Sequence, residues 1–219
     1  MSKSAEAGAV PGPHEVKVTA PFLITGCGRS GTAWAATLFT ALGYPCGHEV
    51  QFAYDRTGPL TAPESSWLAV PHLDALPPHT PVLRIMRDPY AVVQSAMAKG
   101  FLLDGRDAYD VYVETHRPDI TQSRDHLGRV LRWVAMWDEP LEGSNLLRVD
   151  GNAHVVTGAV RYATGAKIDR RAVGDARRLV GNRVNTDEAD PGQVRLARER
   201  IDAHPDGALI AARADKYGY

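Results

Sequence analysis

The sequence predicts an α/β domain in which a parallel sheet is flanked by helices on both faces, in three layers. Short apolar runs alternate with segments whose apolar residues fall at helical spacing, as a covered parallel sheet requires. Two of the strand-to-helix junctions carry special sequences, a glycine-rich GCGRSGT and an Arg-Asp-Pro. The 219-residue chain is 44% hydrophobic, enough for one well-filled core and too little for two comfortable domains.

Each element follows from its residues. FLIT, Phe22 to Thr25, is a first strand, and AWAATLFTALGY after the glycine-rich loop is a helix. PVLRIM, Pro81 to Met86, is a second strand, followed by a helix with Pro89 in its first turn and Gly100 at its end. Leu131 to Leu141 reads as helical through Trp133 and Trp137, Asn145 to Asp150 as a third strand, and a further helix runs toward Ala163. Beyond Asp169 the chain is Arg-rich and helical, interrupted by GNRVNTDEADPG and closing in a helix to Tyr217. Gly47 to Thr80 is rich in proline, and Asp104 to Asp125 is polar and charged. Both read as long loops of the sort that cover substrates.

Residues 1–19 are rich in Gly, Pro and small residues and read as a disordered tail, leaving a single domain over 20–219. The tail lacks the apolar core of a secretory signal, and no run approaches the roughly 20 apolar residues of a membrane span. A soluble, cytoplasmic protein is expected. Lys plus Arg at 25 against Asp plus Glu at 26 leave a net charge of −1, which argues against a general nucleic-acid binder and makes any anion site local. Two cysteines and eight scattered histidines show no metal-ligand spacing, so metal-independent chemistry is expected.

At the end of the first strand, Gly26, Gly28 and Gly31 allow backbone N–H groups and a helix N-terminus to converge on an anion. The spacing Gly26-x4-Gly31 copies the P-loop of nucleoside triphosphatases, yet Thr32 stands where that motif requires Lys. The cation sits earlier, as Arg29. GCGRSGTAW thus resembles the 5′-phosphosulfate loop of the sulfotransferase family, whose donor is 3′-phosphoadenosine 5′-phosphosulfate, and the resemblance implies a P-loop-type sheet. It further implies that Arg29 replaces the family's loop lysine, that Gly28 to Ala33 with Ser30 and Thr32 hold the phosphosulfate, and that Trp34 stacks on adenine. The alternative for Trp34 is plain core.

The segment RDPYAVVQS sets Arg87 at a strand end and Ser95 about two helical turns into the next helix, so one ligand can meet both. This also resembles the family, whose 3′-phosphate site pairs such an Arg with a Ser eight positions on. An Arg fork plus a hydroxyl suits a phosphate dianion. Read without the family, Arg87 and Asp88 are a local ion pair at a helix start. The resemblance runs from Phe22 to Asp150 and is weak beyond, where Arg183 and Asn185 are the candidates for a further donor contact.

Transfer to a hydroxyl needs a base near the loop, and GHEVQF offers Glu49 first and His48 second. Neighbouring residues do not easily face one acceptor. His72 is a third possibility, and Ser65, Ser66 and Trp67 are candidates for a pocket floor, with core as the equal alternative for Trp67. The acceptor, a small molecule, glycan or lipid, is expected to sit between Gln51 to Pro78 and Phe101 to Asp125, where Tyr54, Trp67, Phe101, Tyr109 and Tyr112 offer rings. Two other readings stand: a small-molecule kinase of P-loop type with Asp88 or Asp150 as metal ligand, and a non-catalytic nucleotide sensor. Acceptor identity and oligomeric state are not legible.

Overall fold

A computed structural model describes residue 17 and residues 19–103, 107–181 and 196–219. The tail proposed for 1–19 falls almost wholly outside the described residues. In chain order the elements are β1 (Leu23–Thr25), α1 (Thr32–Ala41), β2 (Gly47–His48), β3 (Phe52–Ala53), β4 (Arg56–Thr57) and β5 (Glu64–Ser65). A 3₁₀ segment (Trp67–Ala75) leads to β6 (Val82–Met86), α2 (Pro89–Ala98), α3 (Ala108–His116), α4 (Pro118–Thr121) and α5 (His126–Met136). A second 3₁₀ turn (Glu139–Leu141) precedes β7 (Asn145–Arg148), α6 (Ala153–Thr164), α7 (Arg170–Val180), α8 (Arg198–Asp202) and α9 (Gly207–Tyr217).

The main sheet has five strands in the order β2-β5-β1-β6-β7, and every pairing in it is parallel. The fold is therefore α/β. The chain leaves β1 toward β2 and β5 on one side, then crosses to β6 and β7 on the other, so strand order reverses at β1. In such sheets the crevice for a ligand opens at the carboxyl ends of the strands where that reversal occurs. β3 and β4 form a separate antiparallel hairpin.

Alternation along β1 divides the core. Phe22 and Ile24 join Leu83, Ile85 and Leu147 against residues of α1, α6 and α7. Leu23 joins a second apolar cluster with residues of the first 3₁₀ segment, α2, α5 and α9. The first three strands expected from sequence form, each a residue or two shorter. No helix among the described residues is long and apolar enough to cross a membrane.

Three expectations are corrected. The helix placed at 131–141 begins at His126, because Asp125 accepts a hydrogen bond from Gly128 N (2.9 Å) and caps it, and it ends at Met136. Of the polar stretch 104–125, the described residues 107–125 are no open loop: Asp107 caps α3 through Asp110 N (2.7 Å), and Tyr112, Val113 and Ile120 are buried beneath a charged outer face. The proline-rich stretch 47–80 holds β2 to β5 and a 3₁₀ segment, its Ser65, Ser66 and Trp67 packed as core.

One buried ion cluster ties the C-terminal helix to the sheet. Arg84 on β6, 2% exposed, donates twice to Asp138 (3.0 Å each), which is fully buried and also accepts from Arg213 of α9 (2.6 Å). Arg84 further donates to the Tyr217 hydroxyl (2.5 Å). Removing the shared carboxylate strands two guanidinium groups out of water. Asp138→Ala is expected to cost about 3–5 kcal/mol, read as a lower urea midpoint; an unchanged midpoint overturns the ascribed role.

Candidate functional site

The loop from Gly26 to Gly31 joins β1 to α1 under tight steric control. A Cβ on Gly26 would stand 2.4 Å from the Ile85 carbonyl oxygen, so only glycine lets β1 lie this close to β6 as the chain turns. Gly31 has φ +106° and lies beneath Val149, whose Cγ2 a Cβ would meet at 2.6 Å. Gly28 rests against the rings of Trp133 and Trp67. Arg29 itself adopts φ +63°, the left-handed region that costs a non-glycine residue strain.

α1 starts without a side-chain cap at Gly31, whereas α2, α3, α5, α6 and α7 each start at an Asp or Asn that caps the first turn. The first helical hydrogen bond of α1 is Ala35 N to Gly31 O (2.9 Å), which leaves the N–H groups of Thr32, Ala33 and Trp34 ahead of it. Such an end suits an anion, since its N–H groups and helix dipole favour negative charge. Ser30 and Thr32 are buried in the loop and Ala33 is half-buried.

The second motif meets the first. Arg29 Nε donates to Ser95 Oγ at 3.0 Å, across a separation of 66 residues. Arg87 is exposed just past the carboxyl end of β6, the neighbour of β1. It forms no ion pair with Asp88, whose carboxylate instead accepts from Tyr90 N (3.0 Å) and caps α2. Asp150 is engaged by Arg148 (2.9 and 3.2 Å).

His48 and Glu49 lie on the other side of the loop. His48 Nε2 is 3.2 Å from Thr32 Oγ1 and 3.5 Å from Glu49 Oε1. Adjacent residues of an extended strand point opposite ways, so the expectation that these two would not share a site fails here for a definite reason. Glu49 has φ +56°, and this left-handed turn brings its carboxylate back to the imidazole. Burial lowers the His48 pKa from its ordinary value, and burial followed by the charge of Glu64 raises that of Glu49. Glu64 is fully buried and accepts from Val50 N (2.7 Å) and Gln51 N (3.3 Å), pinning the segment that follows the pair.

Trp34 is only 3% exposed and packs in the core beside Phe22, Ile24 and Leu38. Its indole N–H donates to Gly181 O (3.2 Å), and the Arg177 guanidinium lies 5.9 Å from its ring centre. Arg183 and Asn185 lie outside the described residues. His72 belongs to another cluster: it is 2.9 Å from the Tyr112 hydroxyl, and its ring centre is 5.2 Å from that of His116. Arg177 and His116 are additions that sequence reasoning did not single out. Arg177 holds the carbonyls of Gly151 and of Val149 (3.2 Å), the residue that covers Gly31.

In an NMR titration the His48 imidazole is expected to take its proton below the ordinary histidine value of about 6.5, because its surroundings disfavour the imidazolium. A midpoint above that value would mean that Glu49 outweighs desolvation.

No family model matches this chain, and no curated protein or solved structure matches it.

Proposed function

We propose that the protein is a sulfotransferase of three-layer P-loop type that passes a sulfuryl group from 3′-phosphoadenosine 5′-phosphosulfate to a hydroxyl or amine of a small-molecule, glycan or lipid acceptor. The observation that carries this reading is the 3.0 Å hydrogen bond from Arg29 to Ser95. It draws the glycine-rich loop and the Arg87-to-Ser95 unit to one end of the sheet, as a donor phosphorylated at both 5′ and 3′ positions demands.

The residues present fit such a donor. The uncapped first turn of α1 and the loop glycines provide a cradle for one anionic end, and Arg87, exposed and unpaired among the described residues, provides a fork for the other. When bound, the nucleotide supplies the sulfuryl group and a phosphate leaving group. Arg29 neutralises charge on the leaving side, while Ser95 holds its guanidinium in place. Glu49 takes the acceptor proton, its basicity raised by burial, and His48 Nε2, 3.5 Å from its carboxylate, hydrogen-bonds to Thr32. The kinase reading is less well supported, since Asp88 is committed to a helix cap and Asp150 to Arg148.

Calorimetry tests the donor. 3′,5′-Adenosine bisphosphate is expected to bind more tightly than 5′-AMP or ATP with Mg²⁺, and Arg87→Ala to weaken it about tenfold or more, toward the affinity of 5′-AMP. Preference for ATP would promote the kinase; bisphosphate binding with no turnover on any acceptor would promote the sensor.

Glu49→Gln is expected to lower kcat by about a hundredfold or more while leaving bisphosphate affinity intact. Because Glu49 must be ionised to act, kcat/KM in the unaltered protein is expected to rise with pH through a midpoint above the ordinary glutamate value of about 4.3, a limb absent from the variant. An unchanged profile would transfer the role to His48.

A further inference from the structure

A cavity of about 740 Å³ lies apart from the loop, between the β3–β4 hairpin, the first 3₁₀ segment and α3. Its lining includes Tyr54, Asp55, Thr57, His72, Tyr112 and His116. Its size suits an organic molecule rather than an ion, since small-molecule sites run from roughly 300 to 1,000 Å³.

The hydrogen-bonding character of the wall follows from counting protons. The Tyr112 hydroxyl has one proton and donates it to Leu68 O at 2.5 Å. The contact between that hydroxyl and His72 Nε2, at 2.9 Å, therefore has the imidazole as donor. A neutral His72 is then protonated on Nε2, and its Nδ1 is an acceptor. Burial lowers the pKa of both His72 and His116, and the charge of His116 lowers that of His72 further, so both rings favour the neutral form. Among the described side chains the wall carries the Asp55 carboxylate and no Lys or Arg to offset it, which favours an uncharged or cationic guest over an anion.

The cavity wall also leads toward the loop, since the Tyr109 ring centre lies 5.8 Å from that of Trp67, which packs on Gly28. Tyr109, next to the lining residue Ala108, has its hydroxyl pKa raised by burial and then by the charge of Glu49, and its ring centre lies 5.4 Å from that of Tyr54. The Tyr54–Tyr109 pair thus connects the cavity wall to a hydroxyl that feels the charge of Glu49. Tyr54 remains 49% exposed, leaving ring surface for a ligand to lie against.

We propose that this cavity seats the acceptor, and that the acceptor is an uncharged or cationic ring-bearing alcohol or amine whose reactive group passes the Tyr54–Tyr109 pair to reach Glu49. This rests on the sulfotransferase reading. In the transfer the acceptor oxygen or nitrogen bonds to sulfur as the bond from sulfur to the donor's phosphate oxygen breaks. The acceptor proton goes to Glu49, and the electron pair leaves with the phosphate.

Three probes of one shape and different charge test this on the full chain: phenethyl alcohol, phenethylamine and phenylacetate, followed by saturation-transfer NMR. The first two are expected to bind, with phenylacetate weaker by about fivefold or more. Val111→Trp, at an exposed lining position, is expected to abolish probe binding without altering 3′,5′-adenosine bisphosphate affinity, and Asp55→Asn to remove the amine's advantage over the alcohol. Phenylacetate binding as well as the amine, or probe binding that survives Val111→Trp, overturns the proposal. Bisphosphate binding with no probe binding overturns it while leaving the donor reading intact. Probe binding without bisphosphate binding sinks the donor reading and the acceptor role with it.

Discussion

The rest of the site depends on the closeness of β1 and β6 where the chain leaves the sheet. With no side chain at Gly26, the backbone passes the Ile85 carbonyl at a distance that a methyl group would forbid. Two loops that follow different strands are thereby held side by side, and Arg29 reaches Ser95 on the helix after the second. The loop has little freedom to relax, since Gly31 is covered by Val149 and Gly28 by two indole rings. The left-handed backbone at Arg29 is a strain that such surroundings sustain, and it aims the one cation the loop owns.

The same seam organises the interior. Alternation along β1 sends Phe22 and Ile24 into one apolar cluster and Leu23 into the other. The Arg84–Asp138–Arg213 cluster then fastens α9 to β6, the strand whose carboxyl end bears Arg87. A buried ion cluster is a poor source of net stability compared with apolar packing, but its directional hydrogen bonds from Arg84 and Arg213 to Asp138 hold α9 against β6. Position is what the site needs from it.

On the far side of the loop the electrostatics are those of burial. Glu64 lies beneath the turn after His48 and Glu49, and its carboxylate is satisfied by backbone N–H groups rather than by a cation. It holds the turn and raises its neighbour Glu49 at once. His48 is shared between the Thr32 hydroxyl and Glu49, which links the anion cradle to the candidate base through side chains alone.

The strand-loop-helix order, the glycine-rich loop and the Arg87-to-Ser95 spacing were legible in the sequence because each is a local pattern of period, cap or turn. The helices α3 and α4 were not. Their polar surface hid a narrow buried stripe of Tyr112, Val113 and Ile120, so composition suggested a loop. The His48–Glu49 contact was missed because it turns on one positive φ at a residue that ordinarily avoids it. Trp34 carried the look of a ligand platform, yet packing places it at 3% exposure. What the sequence by itself determined is the set of local elements and the chemistry at their junctions. Only the tertiary structure decided that Arg29 meets Ser95, that His72 meets His116 and that a cavity opens between the β3–β4 hairpin and α3. Periodicity is a property of neighbours along the chain, whereas these meetings are set by how strands order and helices pack across it.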